Sequence, residues 1–253
     1  MKLRVGMGQM HVDGGAPDEN LARAQSMILA AAQADCHVLV LPECLDLGWT
    51  HPSARTCALP IPGPRTERLG CAARSAGLHV VAGLTELDGD RVFNTAVLIG
   101  ADGNILAKHR KINILDIARD LYSVGDRLSV VPTSLGVIGL LICADNFPET
   151  LYLGRSLAKM GAQFILSPCA WAVPPNYDNG AEPYGALWRE AYGTLTAEHD
   201  ISVVGVSNVG PITGGPWEGY KCIGCSLASV SGGVTRYQAP YGMDAAALHV
   251  VDL

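Results

Sequence analysis

Residues 140–149 read LLICADNFPE, and the rest of the chain can be organised around this stretch. With the apolar pair at 137–138 it begins as a buried strand, because a short apolar run bounded by turn residues is typical of an inner strand. Cys143 comes next, followed by turn residues and by a helix that we expect from Glu149 onward. Backbone N–H groups and a helix N-terminus at such a turn favour negative charge. We therefore expect the Cys143 thiol to have a lowered pKa and to be nucleophilic. The alternative is that Cys143 is an unreactive cysteine buried in the core.

The bulk composition predicts one well-folded domain over residues 1–253. Hydrophobic residues make up 49% of the chain and charged residues 17%, which supplies a large core, and no linker-like stretch divides it. The net charge of −6 and the lack of a basic patch argue against nucleic acid as a partner. No run approaches the roughly 18 apolar residues of a membrane span. The N-terminus reads as a strand and not as a secretory signal, so the eight cysteines indicate reduced thiols in a cytoplasmic protein.

Strand and helix patterns alternate along the chain. The sequence predicts strands at 3–7, 38–41, 79–84, 137–143, 164–167, 202–206 and 246–251, helices at 17–34, 64–75, 149–160 and 182–198, and hairpins across 93–109 and 221–237. Each half of the chain supplies a strand, a helix, a strand, a helix, a strand and a hairpin. This internal pseudo-two-fold repeat predicts an α/β fold with two sheets inside and helices outside.

Two charged residues follow predicted strands in the same way as Cys143. Glu43 comes after the buried run at 38–41, and Lys111 ends the second strand of the first hairpin. Open α/β sheets bind ligands at the carboxyl edge of their strands, so Glu43 is a candidate site residue there. The alternatives are a solvated loop glutamate and a solvated basic run at 109–111. Lys111 takes part in a site only if it points inward beside Glu43 and Cys143.

An ordered set of short motifs accompanies these three residues. It consists of LPE at 41–43, AGLTE at 82–86, FNTA at 93–96 with DG at 102–103, HRKI at 109–112, IC at 142–143 with FPE at 147–149, SNVG at 207–210 and GCS at 224–226. With this set the chain resembles the nitrilase, or carbon–nitrogen hydrolase, superfamily over essentially its whole length. The resemblance implies a four-layer αββα sandwich, a Glu43–Lys111–Cys143 catalytic triad and no metal or organic cofactor. It also implies a homodimer or a higher homo-oligomer, since such folds commonly pair by two-fold symmetry.

The residue types of the triad suit hydrolysis of a carbon–nitrogen bond. Cys143 would attack the carbonyl carbon and form a thioester, while Glu43 would carry protons to the leaving amine and from water. Lys111 and the backbone N–H of Ala144 would stabilise the negatively charged tetrahedral oxygen.

The chain departs from the family pattern at several positions. Ala118 stands where the family usually has a second glutamate, and Asp116 or Asp120 could replace it, a choice that spacing leaves open. The interval from Cys143 to Phe147 is one residue shorter than usual, which would reshape the pocket around Asn146. An Arg-Ala pair usual in the long second-half helix is replaced here by Leu-Thr at 195–196, and these departures together predict an unusual substrate.

Several cysteines and histidines suggest other roles. Cys44 and Cys169 could line the pocket, as could Trp171 in the proline-rich loop after it. The Cys222-x-x-Cys225 spacing matches half of a zinc site, but no second pair accompanies it, so we expect structural packing. A cysteine–histidine pair is the rival nucleophile scheme, with candidates at His37, His79, His109 and His199, although no cysteine protease signature surrounds Cys143.

These patterns together predict a hydrolase of non-peptide carbon–nitrogen bonds. The substrate would be a small amide or an N-carbamoyl compound, and the reaction would pass through a cysteine thioester. The alternatives are a nitrilase, an acyltransferase that passes the same thioester to an amine, and a protein that binds a ligand without turnover.

Overall fold

The structure is a computed structural model, and it describes residues 2–253. Its helices are α1 (Pro17–Gln33), α2 (Ala54–Cys57), α3 (Pro64–Ala76), α4 (Leu151–Lys159) and α5 (Ala186–Glu198). Its strands are β1 (Arg4–Gln9), β2 (Val38–Val40), β3 (His79–Asp88), β4 (Arg91–Ile99), β5 (Ile105–Arg110), β6 (Val130–Thr133), β7 (Gly136–Leu140), β8 (Phe164–Cys169), β9 (Ala172–Val173), β10 (Ser202–Ser207), β11 (Val209–Pro211), β12 (Lys221–Ile223), β13 (Leu227–Val230), β14 (Val234–Gln238) and β15 (Ala247–Asp252). Within residues 2–253, none of the helices has the length and apolar character needed to cross a membrane.

Two six-stranded sheets carry the same topology. Their strand orders are β15-β1-β2-β3-β4-β5 and β14-β13-β10-β8-β7-β6, and a small third sheet has the order β11-β12-β9. In each large sheet three parallel strands are followed on one side by two antiparallel strands and flanked on the other by an antiparallel edge strand. This equivalence confirms the internal repeat and the α/β class that the sequence predicts.

The alternation of side chains along the strands creates the four layers. Val38 and Val40 belong to the core between the two sheets, whereas Leu39 belongs to a second core under α1 and α3. Successive strand residues point to opposite faces, so each inner strand of the first sheet contributes to both cores. Helices α4 and α5 cover the outer face of the second sheet through residues such as Leu157 and Leu195. The order helix–sheet–sheet–helix is the predicted αββα sandwich.

Several predicted boundaries differ in the structure, beginning with the strand expected over 137–143, which ends at Leu140. The strand expected over 221–228 is broken into β12 and β13, because Gly224 and Cys225 have φ angles of +67° and +60° and Gln9 packs directly on Gly224. The helix expected from Glu149 begins at Leu151, after two short 3₁₀ turns. The helix expected from 182 begins only at Ala186.

Candidate active site

The three triad residues meet at one edge of the sandwich. Glu43 follows β2, Lys111 follows β5 directly and Cys143 follows β7, so both large sheets contribute strand ends to the site. All three side chains are buried, and Lys111 and Cys143 line the same cavity. The Lys111 ammonium donates a hydrogen bond to Glu43 Oε1 at 2.6 Å. Lys111 therefore points inward, and the alternative of a solvated basic run does not hold for it.

Glu43 is fixed through its backbone and through one carboxylate oxygen. Its backbone N–H donates to the Cys169 carbonyl at 3.1 Å, and the Asn94 side-chain amide donates to Oε1 at 2.6 Å. Strand β3 packs so closely here that a Cβ on Gly83 would lie 2.5 Å from Glu43 Cα. The other oxygen, Oε2, is buried without a hydrogen-bond partner among residues 2–253. Oε1 thus holds the two donors, and Oε2 is left to accept a proton.

Lys111 is held as a cation by its environment. Burial, the largest single effect, would lower the pKa of Lys111, but the charge and hydrogen bond of Glu43 and the charges of Cys143 and Asp145 together raise it. Its backbone N–H donates to the Asn94 carbonyl at 2.9 Å, so Asn94 contacts both charged members of the triad. An ammonium has three N–H donors, and within residues 2–253 only Glu43 accepts one. The remaining donors are available at the cavity.

Cys143 starts a 3₁₀ turn that extends to Asn146. Its φ angle of +43° is unusual for a residue with a side chain, and such strained backbone is frequent at active sites. Its N–H donates to Ser167 Oγ at 3.2 Å, which links the turn to β8. The regular helix begins only at Leu151, so the predicted helix N-terminus does not lie at the thiol.

The expectation of a lowered pKa at Cys143 is wrong. The contact with the Cys169 thiol and burial raise the pKa of the Cys143 thiol well above its usual value of 9.0, and the charge of Glu43 adds to this. Lys111 acts in the opposite direction but does not compensate. The raised pKa favours a neutral thiol at Cys143, beside the ion pair of Lys111 and Glu43.

The residues after Cys143 hold the turn in place and leave one donor free. Within residues 2–253 the Ala144 N–H has no hydrogen-bond acceptor, while its carbonyl accepts from Asn113 Nδ2 at 2.6 Å and from Thr150 Oγ1 at 2.9 Å. Asp145 is fully buried and bonded to His109 Nε2 at 2.9 Å. The sequence pattern indicates only a turn residue at Asp145, and its position two residues after Cys143 is the one signal of a larger role.

Only Trp171 lines the cavity among the residues that the sequence suggests for the pocket, which are Cys44, Asp120, Asn146, Cys169 and Trp171. Cys44 is buried, with its thiol 3.6 Å from the Tyr122 hydroxyl. Asn146 donates to Ser167 Oγ at 3.0 Å, and Cys169, the last residue of β8, contacts the Cys143 thiol. Both side chains are buried and lie outside the cavity lining. Asp120 is exposed and lies in a different surface depression, next to Arg55.

Neither candidate for the missing second carboxylate reaches the site. Ala118 is buried in an apolar cluster with Trp49 and Tyr122. Asp116 is exposed and pairs with Arg119 at 3.0 Å, and Asp120 is also exposed. The place of the second glutamate is therefore filled by apolar packing.

The rival schemes find no support in the geometry. No histidine within residues 2–253 lines the cavity with Cys143, and His109 pairs with Asp145. Cys222 and Cys225 are buried in separate apolar clusters, as expected of structural cysteines. Over the same part of the chain, no group of three or more His, Cys, Asp or Glu side chains is arranged to hold a metal ion.

Known proteins are similar to this chain in sequence. The chain is 34% identical to an omega-amidase NIT2 of Danio rerio over 181 residues, which is 67% of this chain and 64% of the relative, just under two thirds of its length. It is 34% identical to a nitrilase of Pyrococcus abyssi over 202 residues, 78% of this chain and 74% of the relative.

Solved structures agree on the fold. Nit3 of Saccharomyces cerevisiae, described as a member of branch 10 of the nitrilase superfamily, matches with a TM-score of 0.82 at 24% identity, over all of this chain and 90% of that one. A mutant of an amidase of Nesterenkonia AN1 matches with a TM-score of 0.81 at 24% identity, over 99% and 90% of the two chains. Residues 4–247 match the carbon–nitrogen hydrolase family. The chain therefore belongs to the carbon–nitrogen hydrolase family, within the nitrilase superfamily.

Proposed function

We propose that this protein hydrolyses a small amide or N-carbamoyl compound, with Cys143 as nucleophile, Glu43 as general base and acid, and Lys111 as the charged donor. The observation that supports this most directly is the difference between the two carboxylate oxygens of Glu43. Its Oε1 accepts from Lys111 and Asn94, while its buried Oε2 has no partner within residues 2–253. A carboxylate fixed by one oxygen and free at the other is suited to proton transfer.

The reaction begins with a proton transfer because the Cys143 thiol is neutral at rest. As sulfur attacks the carbonyl carbon, the thiol proton moves to Glu43 Oε2 and the carbonyl oxygen becomes negatively charged. Lys111 and the free N–H of Ala144 stabilise that oxygen, and one such donor contributes about 3–4 kcal/mol in other enzymes. Collapse of the tetrahedral species breaks the C–N bond, and the proton on Glu43 leaves with the amine or ammonia.

The second half of the reaction returns the enzyme to its starting state. Glu43 takes a proton from water, the resulting hydroxide adds to the thioester, and the carboxylic acid leaves as sulfur regains a proton.

Nitrile hydrolysis by the same triad is a second candidate, since one relative at 34% identity is named a nitrilase. We also keep the homodimer and the cytoplasmic location as predictions from the sequence.

The test is release of ammonia from a panel of small amides, N-carbamoyl compounds, ureas and nitriles. We expect turnover in the wild type, none in Cys143→Ala, and a wild-type rate in Cys57→Ala, because Cys57 is an exposed thiol away from the cavity. Retained activity in Cys143→Ala would overturn the assignment of the nucleophile. Adding an amine to the assay tests acyl transfer, because an acyltransferase would pass the acyl group of the thioester to that amine and form a new amide instead of the carboxylic acid.

A further inference from the structure

All four tryptophans of the chain line the cavity beside Cys143. They are Trp49, Trp171, Trp188 and Trp217. The cavity has a volume of about 390 Å³, which lies within the usual range for small-ligand sites. Because these residues come from segments far apart in the sequence, the fold gathers its largest aromatic rings at the place where the acyl group of a substrate would lie.

The rings are packed against one another before any ligand binds. The Trp171 and Trp188 rings are stacked with centroids 4.6 Å apart, and Phe147 lies 5.3 Å from Trp188. The Trp49 and Trp217 rings meet edge to face at 4.9 Å and belong to a separate cluster. Two preformed aromatic clusters therefore border the cavity, and side chains already ordered lose little freedom when a ligand binds.

The charges on the wall do not suit an anionic substrate. Among the cavity-lining residues, all of which lie within residues 2–253, Lys111 is the only cation, and it is already paired with Glu43. The other charged lining side chain is Glu182, which is exposed at the cavity. A carboxylate on the acyl group would lose hydration without gaining a free cation and would be repelled by Glu182.

We infer that the substrate is an uncharged amide whose acyl group carries an aromatic ring on a short chain. This rests on the proposed amide hydrolysis and adds the class of acyl group to it. The space is sufficient, since a cavity of about 150 Å³ already holds benzene in another protein. Burying a ring in such a pocket strengthens binding by on the order of 10- to 100-fold over the same amide without the ring.

Four amides that differ only at one end provide the test. They are propanamide, 3-phenylpropanamide, succinamate and 3-aminopropanamide, which place hydrogen, phenyl, carboxylate or ammonium on the same two-carbon amide. Binding is measured with Cys143→Ala, which cannot form the thioester, through the fluorescence of the four tryptophans at the cavity. We expect 3-phenylpropanamide to bind about 10- to 100-fold more tightly than propanamide, and succinamate to bind more weakly than both. The inference would be overturned if succinamate or 3-aminopropanamide bound as tightly as 3-phenylpropanamide, or more tightly.

Turnover by the wild type separates this inference from the proposed function. Tight binding of the phenyl compound with no release of ammonia from any amide would leave the acyl pocket standing and refute amide hydrolysis. Turnover that favours succinamate would support hydrolysis and refute the acyl class. Glu182→Arg replaces the anion at the cavity by a cation, so it should raise the ratio of kcat/KM for succinamate to kcat/KM for 3-phenylpropanamide at least about tenfold. An unchanged ratio of the two would contradict the role assigned to charge.

Discussion

Asp145→Asn should damage both the stability of the fold and the placement of the nucleophile. The fully buried Asp145 carboxylate accepts the Ile112 and Asn113 N–H groups on Oδ1 at 3.1 and 2.7 Å. Its Oδ2 accepts the Ile142 N–H at 3.0 Å and bonds with His109 Nε2 at 2.9 Å. One side chain thus joins the segment just after Lys111 to the turn that carries Cys143.

The size of the effect follows from the number of bonds lost. Asparagine keeps one oxygen and presents an NH₂ group where the second oxygen accepted, so two of the four bonds at Asp145 are broken. Hydrogen bonds to charged groups contribute roughly 1.5–3 kcal/mol each, so the free energy of unfolding should fall by about 3–6 kcal/mol. For a chain of this size that corresponds to a fall in Tm of about 6–24 °C.

The loss should depend on pH with a definite sign. Burial alone would raise the pKa of Asp145, but the hydrogen bonds and charge of His109, with the backbone donors, lower it below its usual value of 3.8. Stability from a carboxylate with a lowered folded pKa is fully present above the unfolded pKa and disappears as pH falls through the folded pKa. The difference in unfolding free energy between wild type and Asp145→Asn should therefore be largest near neutral pH and shrink below about pH 4.

The kinetic assay shows whether Asp145 positions the site as well as stabilising it. Well below the Tm of the variant, kcat on the best amide should fall by on the order of 100-fold with a smaller change in KM, because small misplacements of reacting groups have effects of that size. Asp46→Asn is the matched control: Asp46 is equally buried and bonds to Thr85 and Arg65, which do not line the cavity. It should lose similar stability and keep kcat within about threefold. Equal losses of kcat in both variants would refute the positioning role.

Three further tests approach the site from other directions. The difference in thiolate absorbance between wild type and Cys143→Ala, followed against pH, should show no titration of Cys143 below pH 9.0. The reason is that the neighbouring Cys169 thiol and burial raise the pKa of Cys143. A midpoint at or below about pH 8.5 would contradict this. Lys111→Met and Glu43→Gln should each destabilise the fold by about 3–5 kcal/mol in denaturant unfolding, because each leaves a buried charge unpaired, and the double variant should lose less than the sum. Strictly additive losses would be inconsistent with the ion pair. Gly83→Ala should lower kcat and remove about 1–3 kcal/mol of stability, because its methyl group would lie 2.5 Å from Glu43 Cα. Gly193→Ala, whose methyl group would have its nearest neighbour at 3.5 Å, should keep the kcat and the stability of the wild type. Equal losses in the two variants would argue against the close packing at Gly83.

The layers of the fold are readable from the sequence because burial follows the period of each element. In β2, Val38 and Val40 point to one core and Leu39 to the other, and the apolar residues of α1 recur on one helical face. The break between β12 and β13 is not readable in this way. It depends on Gln9, whose side-chain oxygen accepts from the Ser226 N–H and hydroxyl across the sandwich, a contact between distant parts of the chain.

The same contrast holds at the site. The order and spacing of the motifs identify Glu43, Lys111 and Cys143 as candidates, because each follows a strand. The contacts of Asn94 with Glu43 and of Asp145 with His109 join side chains from different strands and turns, and the motifs do not predict them. For the same reason the sequence predicts Asn146 and Cys169 in the pocket, whereas both side chains are buried outside the cavity lining. Local sequence shows which element carries a side chain, but the direction it takes depends on packing.

In the proposed mechanism, the raised pKa of the Cys143 thiol is linked to the charge of Lys111. Lys111 is the only cation among the cavity-lining residues of the described chain, and at rest Glu43 neutralises it at 2.6 Å. No net positive charge is then available to hold Cys143 as a thiolate, so the proton stays on sulfur. When the proton moves to Glu43, that carboxylate becomes neutral, and the charge of Lys111 is released toward the oxygen that becomes negative in the same step. Activation of the nucleophile and stabilisation of the oxyanion thus depend on one proton transfer, and a resting thiolate would remove this coupling.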